Sequence, residues 1–243
     1  MDVMTRDGER ISYRRTDGDR PVLLVHGFAS NAEASWDASG WLRALEEAGR
    51  GAILADLRGH GSSSRPTSPA SYSAAILADD LIEVLGAENV DVVSVVGYSM
   101  GGQIARQLAA SHPDRVSRLV LGGIGLAEPF ATAGVPVLLA ALAGNRGAGD
   151  PLVEGLLAGA QDLPEADRAA LAACIEGMAA SPVTGIPSAT TLMVAGELDP
   201  IAEGAEQLAK SLNGLYLSIP GRRHANTLSS RVFKQVSLDF LGS

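Results

Sequence analysis

The sequence predicts an α/β fold with a mostly parallel, doubly wound sheet, which is a sheet that carries helices on both faces. Two observations on this chain of 243 residues, 46% of them hydrophobic, support the prediction. Short apolar runs alternate with segments of helical patterning, as in parallel strands joined by crossover helices. One long stretch interrupts this alternation and has helical patterning only. The length fits one α/β domain with an insertion.

Six strands are predicted at short runs rich in Val, Leu, Ile and Ala, the composition of strands buried on both faces. A further strand, Arg10–Arg15, is expected to be antiparallel and to lie at the edge of the sheet. The six runs are Pro21–Val25, Gly51–Ala55, Asp91–Val96, Val116–Leu121, Thr190–Ala195 and Gly214–Ile219.

Five helices are predicted between or after these strands, where apolar residues recur at helical spacing. They are Ala38–Ala48, Ser73–Leu85, Gly101–Ser111, Ala202–Leu212 and Leu228–Leu241.

The stretch without strand patterning predicts a helical cap, inserted after the predicted strand Val116–Leu121. We expect the cap to comprise residues 128–187, and the core domain to comprise residues 1–127 and 188–243. Ligands of open α/β sheets bind beyond the carboxyl ends of the strands, so an insertion that begins there is expected to roof the site. The alternative is a helical layer that extends the core without touching substrate.

Charge and composition exclude several classes of partner. The formal net charge is −9, and neither Lys nor Arg is clustered as a phosphate-binding surface requires, so a nucleic-acid partner is not expected. The longest apolar stretch, Ala131–Ala143, contains a proline and is shorter than the roughly 20 residues of a membrane span, so no membrane is expected. A single cysteine, Cys174, and the absence of an apolar leader predict a cytoplasmic protein in which that thiol is packed.

Candidate catalytic chemistry begins at Gly97-Tyr98-Ser99-Met100-Gly101, which joins a predicted strand to a predicted helix. A turn this sharp favours a strained backbone with positive φ at the serine, and glycines two residues before and after it avoid a steric clash. The pattern therefore predicts an exposed, nucleophilic Ser99 hydroxyl, although a glycine-rich turn with an ordinary serine is the alternative.

A serine nucleophile needs a base, and four histidines are candidates. His112 precedes a proline at a helix end, which indicates the surface. His26 and His60 lie in glycine-bounded loops, where an imidazole can hydrogen-bond to backbone. His224 follows the last predicted strand and precedes the last helix, which places it at the carboxyl edge of the sheet. We therefore expect His224 to be the base.

The acid that orients this histidine is expected in the loop after the preceding strand, which contains both Glu197 and Asp199. We favour Asp199 because Pro200 holds its backbone extended, with Glu197 as the alternative. Backbone N–H groups for the oxyanion of an acyl-transfer reaction are expected at Met100, at a helix start, and at Phe28, after an early strand. Phe28 is alternatively only a hydrophobic lining residue.

Together these motifs resemble the α/β-hydrolase superfamily. His26-Gly27-Phe28 looks like its oxyanion loop, Asp56-Leu57-Arg58-Gly59-His60-Gly61-Ser62 like the loop after its next core strand, and the segment around Ser99 like its nucleophile elbow. The candidates occur in the family order Ser99, Asp199, His224. The resemblance implies the α/β-hydrolase type of sheet and a mainly structural role for the Asp56–Ser62 loop.

The resemblance implies a serine hydrolase that cleaves an ester, lactone or thioester of a small, largely apolar substrate without cofactor or metal. The alternatives are a C–C bond hydrolase, a cofactor-free haloperoxidase-like member, and a non-hydrolytic binding or cyclase member. A serine at the elbow disfavours dehalogenases and epoxide hydrolases. The expected partner is a small molecule, and the protein is expected to be a monomer or homodimer.

Leu139 and Leu156 are expected to contact the substrate, because the predicted cap is aliphatic. Tyr98, next to Ser99 in the chain, is also expected to contact it. Arg146 and Arg168 are candidates to bind a substrate carboxylate, but helical surface arginines are usually solvated.

Overall fold

A computed structural model describes residues 1–145, 149–160 and 163–242. Its central element is one eight-stranded sheet of order β1-β2-β4-β3-β5-β6-β7-β8. The strands from β4 to β8 in this order run parallel, whereas β2 pairs antiparallel with both β1 and β4. The strands are β1 Asp2–Met4, β2 Arg10–Arg15, β3 Asp19–Val25, β4 Arg50–Ala55, β5 Val93–Tyr98, β6 Val116–Gly122, β7 Thr190–Gly196 and β8 Leu215–Ile219.

The predicted parallel sheet is confirmed, but the prediction that Arg10–Arg15 forms its edge is wrong. A short first strand pairs with it, with Val3 opposite Ile11, so β1 is the edge and β2 lies inside it. Three residues are too few for an alternating pattern to be visible in the sequence.

Helices cover both faces of the sheet, because neighbouring residues of each strand point to opposite sides. The helices of the core are α1 Trp41–Glu47, α2 Ala74–Ala87, α3 Met100–Ser111, α8 Ala205–Ser211, α9 His224–Thr227 and α10 Arg231–Gly242. Leu23 packs in the core on the side of α2, α3 and α8, and Leu24 packs on the opposite side, against α1 and α10.

The described residues between β6 and β7 form four helices and no strand. These helices begin at prolines or within one residue of them, at positions where the missing N–H of proline leaves no hydrogen bond unmade. The four helices are α4 Pro129–Ala133, α5 Val135–Leu142, α6 Pro151–Leu157 and α7 Glu165–Ala180.

These four helices lie over the carboxyl edge of the sheet. The Phe130 ring packs edge-on against Phe28, with 5.0 Å between ring centroids, and the Cys174 thiol lies 3.8 Å from the Met100 sulfur. Gly159 packs against the backbone of Ala29, so closely that a Cβ there would collide with the Ala29 carbonyl. The segment therefore contacts the loop after β3 and the turn after β5. Its boundaries as a separate cap domain stay a prediction.

Cys174 is fully buried, as predicted. Burial raises the pKa of its thiol, which keeps the sulfur protonated and unreactive. A helix able to cross a membrane is not found among the described residues.

Candidate active site

Ser99 lies between β5 and α3 with φ 57° and ψ −127°, the strained turn that the sequence predicts. The two flanking glycines are required by close contacts. A Cβ at Gly101 would collide with the carbonyl oxygens of Val25 and His26, and a Cβ at Gly97 would collide with the Gly101 carbonyl. Any larger residue would therefore push the helix away from the strand and move Ser99.

His224 is the first residue of α9, beyond the end of β8. Its Nε2 lies 2.9 Å from Ser99 Oγ, and its Nδ1 lies 2.8 Å from Asp199 Oδ2. The carboxylate accepts only, so we assign the imidazole proton to Nδ1 and leave the Nε2 lone pair to face the serine hydroxyl. The three side chains form one continuous hydrogen-bonded series.

Asp199 is held by a second hydrogen bond. Its Oδ1 accepts from the backbone N–H of Ile201 at 3.0 Å, and the carboxylate is fully buried against His224. Pro200 begins the helical turn Pro200–Ala202 for which Asp199 is the cap, so one carboxylate caps this turn and orients the imidazole.

Glu197, the alternative acid, is not at this site. Its side chain is directed to the β8 loop, where Oε2 accepts from the Gly221 N–H at 2.8 Å, and it is exposed to solvent. The structure brings Asp199, and not Glu197, to His224.

Two backbone donors lie near Ser99. The N–H of Met100 is at the start of α3, where no intrahelical acceptor exists, and Phe28 lies in the loop next to the elbow. Neither N–H donates a hydrogen bond within the described residues. Gly27 explains how this loop comes close: a Cβ there would lie 3.2 Å from Ser99 Cβ. Gly27 belongs to the motif His26-Gly27-Phe28, but its steric role appears only where the loop meets Ser99.

Comparison with known proteins identifies the family. The family model described as alpha/beta hydrolase fold matches residues 20–142, just over half of the chain. The chain belongs to the alpha/beta hydrolase family. The chain is similar to a 2-hydroxymuconate semialdehyde hydrolase from Pseudomonas sp. strain CF600. The two are 34% identical over 126 residues, which cover 51% of this chain and 43% of that protein.

Solved structures show the same fold. A thermophilic esterase from Thermogutta terrifontis aligns with 100% of this chain and 97% of its own, with TM-score 0.78 and 22% identity. The enol-lactonase from Burkholderia xenovorans LB400 aligns over 100% of both chains, with TM-score 0.75 and 21% identity. In contrast, the chain matches only 30% to 43% of the length of the curated relatives.

Tyr98, which is predicted to contact substrate, lies against His224 in this alpha/beta hydrolase. It is buried on the α10 side of the sheet, and its hydroxyl donates to the backbone carbonyl of His224 at 2.6 Å. Burial raises the pKa of the phenol well above its ordinary range, so the hydroxyl stays a donor. Substrate contact by Tyr98 stays a prediction, although its hydroxyl is already bonded to the His224 carbonyl.

Leu156 is buried in the same apolar core as Phe28 and Met100, and Leu139 is half-buried against that core. Their contact with substrate stays a prediction. A cavity of about 590 Å³ lies between α5, α6 and α7. Its lining includes Leu157 of α6 and Arg168 of α7. Arg146 lies outside the described residues.

The remaining histidines have structural partners, as expected. Buried His26 accepts from the Leu57 N–H at Nε2 and donates from Nδ1 to the Gly27 carbonyl, and half-buried His112 contacts Asp79. The His60 Nδ1 lies 3.0 Å from the Arg58 carbonyl oxygen. Burial lowers the pKa of His26, and burial, together with neighbouring His26, lowers that of His60 to about 3.

Asp56 holds two loops together, as the resemblance implies. Its carboxylate accepts from the N–H groups of Ala32 and Ser62, at 2.9 and 2.8 Å. Among the described residues, no three His, Cys, Asp or Glu side chains are grouped as metal ligands.

Proposed function

We propose that this alpha/beta hydrolase is a serine esterase that cleaves a carboxylic ester, lactone or thioester of a small, largely apolar substrate. The observation that carries the proposal is the hydrogen-bonded series from Asp199 through His224 to Ser99, at a strained turn. A serine hydroxyl is a weak nucleophile by itself, and this series supplies the base and the group that orients it.

In the proposed mechanism, His224 Nε2 takes the Ser99 proton as Oγ attacks the substrate carbonyl carbon. Buried Asp199 accepts the Nδ1–H and stabilises the imidazolium that forms. The imidazolium then protonates the leaving group, and the tetrahedral intermediate collapses to an acyl-serine. A water molecule attacks this ester with His224 again as base, which releases the acid and restores Ser99.

The backbone N–H groups of Phe28 and Met100 hold the oxyanion in this proposal. Both lack acceptors among the described residues, so they are available to a negatively charged oxygen, and the α3 dipole favours such a charge at Met100. The proposed mechanism uses no metal or organic cofactor.

The proposed substrate class follows from the helices over the site. Leu156 and Leu139 are aliphatic side chains of the apolar core to which Phe28 belongs, and we propose that the segment 128–187 acts as the cap that selects acyl groups. The esterase and the enol-lactonase of the same fold support this class by their names.

The decisive experiment combines a fluorophosphonate probe with a matched pair of variants. Ser94 is the control for Ser99, because both serines belong to the same strand-to-helix unit and are 8% exposed, but Ser94 Oγ meets Ser117 Oγ. The parent protein and Ser94→Ala should gain the covalent mass at Ser99 and hydrolyse a short acyl ester. Ser99→Ala should remain folded, gain no mass and lose turnover. Undiminished hydrolysis by purified Ser99→Ala would reject the proposal.

A second candidate function is hydrolysis of a C–C bond, which the resemblance leaves open. It is favoured by the 34% identity to a protein named 2-hydroxymuconate semialdehyde hydrolase. Assaying 2-hydroxymuconate semialdehyde beside short acyl esters separates the candidates, because the preferred substrate should have a far higher kcat/KM.

A further inference from the structure

We propose that Tyr98 is a positioning residue that sets the place of the His224 imidazole relative to Ser99. The inference rests on the proposed function and extends it to a residue outside the triad. Tyr98 directly precedes Ser99 in the chain, and its hydroxyl donates to the His224 carbonyl at 2.6 Å. Nucleophile and base are therefore joined twice, once through the Tyr98 side chain and once through the 2.9 Å contact between Oγ and Nε2.

The Tyr98 ring also contacts the imidazole. The centroids of the two rings are 5.1 Å apart with an interplanar angle of 33°. Gly123, which has φ 62°, lies against both rings: a Cβ there would be 2.9 Å from Tyr98 Cζ and 3.0 Å from His224 Cε1. The imidazole is thus confined by the Tyr98 ring and by the Gly123 backbone.

The element that carries His224 needs such an anchor. The helix α9 has only four residues, and helices this short do not form by themselves. The loop before it is tied to the β7 loop by the hydrogen bond from Leu198 N–H to the Arg222 carbonyl, at 2.9 Å. Tyr98 ties the His224 carbonyl itself to β5, the strand that ends at the nucleophile.

The test compares Tyr98→Phe with Tyr72→Phe. The Tyr72 hydroxyl also donates from a buried ring to a backbone carbonyl, that of Pro66 at 2.7 Å, but far along the chain from His224. Both variants delete one oxygen and keep the ring, so each should lower Tm by a similar amount. Tyr98→Phe alone should lower kcat for a short acyl ester, by roughly ten-fold, with KM within two-fold of the parent.

A readout independent of turnover is the low-field proton NMR signal of the His224 Nδ1–H that donates to Asp199. It should shift or broaden in Tyr98→Phe and remain unchanged in Tyr72→Phe. If Tyr98→Phe has the kcat of the parent protein and an unchanged Nδ1–H signal, the inference is overturned. If the parent protein is not labelled at Ser99 by the fluorophosphonate, the proposed function fails instead, so the two failures are distinguishable.

A second pair covers the case in which Tyr98→Phe does not fold. Gly123→Ala places a methyl group against Tyr98 and His224, whereas Gly49→Ala, also at positive φ and outside the proposed cap, has no described atom within 4 Å of its new Cβ. Gly123→Ala should lower kcat and alter the Nδ1–H signal, and Gly49→Ala should do neither. If Gly123→Ala has the same kcat and the same Nδ1–H signal as the parent protein, the inference is overturned.

Discussion

Ser99 is held in a backbone conformation that a serine adopts only where the surroundings enforce it. Its φ of 57° carries a strain of about 1–3 kcal/mol, which the close packing of β5 against α3 offsets. That packing depends on Gly97 and Gly101, neither of which has room for a Cβ. The strain exposes Oγ to the imidazole of His224 rather than to the helix backbone.

The acid of the proposed triad is tested by two amide substitutions in one loop. Asp199→Asn should lower kcat by about 10⁴, because the amide no longer holds the imidazole in the required tautomer. Glu197→Gln should keep the parent rate, since its carboxylate meets the Gly221 N–H rather than His224. Steady-state kinetics on a short acyl ester measures both. A large loss in Glu197→Gln with an active Asp199→Asn would reverse our assignment.

At the scale of elements, the loops at the carboxyl edge of the sheet are held by contacts between distant parts of the chain. Asp199 caps the turn after β7 and also meets His224 beyond β8, while Phe28 after β3 packs on Phe130 of α4. The helices α4, α6 and α7 therefore contact the residues around the proposed triad and oxyanion donors. We expect a change in this helical segment to alter substrate choice while the proposed triad stays assembled.

Leu139→Asp tests whether α5 selects the substrate. Leu139 is half-buried against the core shared with Phe28, so a charge there should disfavour apolar acyl chains at a desolvation cost of several kcal/mol. The ratio of kcat/KM for long and short acyl esters should fall, while fluorophosphonate labelling of Ser99 persists. Val137→Asp is the control, because Val137 lies on the same helix but is 51% exposed. An unchanged ratio in folded Leu139→Asp would show that this side chain does not line the pocket.

At the scale of the whole molecule, buried neutral histidines make stability depend on pH. The pKa of His60 is lowered to about 3 in the folded state, against an ordinary value of about 6.5, mainly because burial disfavours the imidazolium. Between these values the unfolded chain binds the proton and the folded protein does not, so stability rises with pH. The contribution of His60 to stability is fully present above about pH 6.5 and is lost as the pH falls toward 3.

His60→Gln should reduce this loss. One proton corresponds to a slope of at most about 1.4 kcal/mol per pH unit in the free energy of unfolding, and the variant should lack the His60 share of that slope between pH 6 and 5. Urea unfolding at each pH measures it. The buried substitution Leu57→Val, which removes no titratable group, should lower stability equally at each pH. Identical slopes for the parent and His60→Gln would contradict the pKa assignment.

The amino-acid sequence predicts the parallel sheet, the helical stretch after β6, and Ser99 with His224 as nucleophile and base. These follow from local causes: apolar periodicity, and the backbone freedom of glycines beside one serine. The tertiary structure alone decided that Asp199 rather than Glu197 meets His224, that Tyr98 lies beneath the imidazole, and that β1 forms the edge. Each of these depends on where an irregular loop or a single side chain meets a partner from a distant part of the chain, and a local pattern carries no information about such a partner.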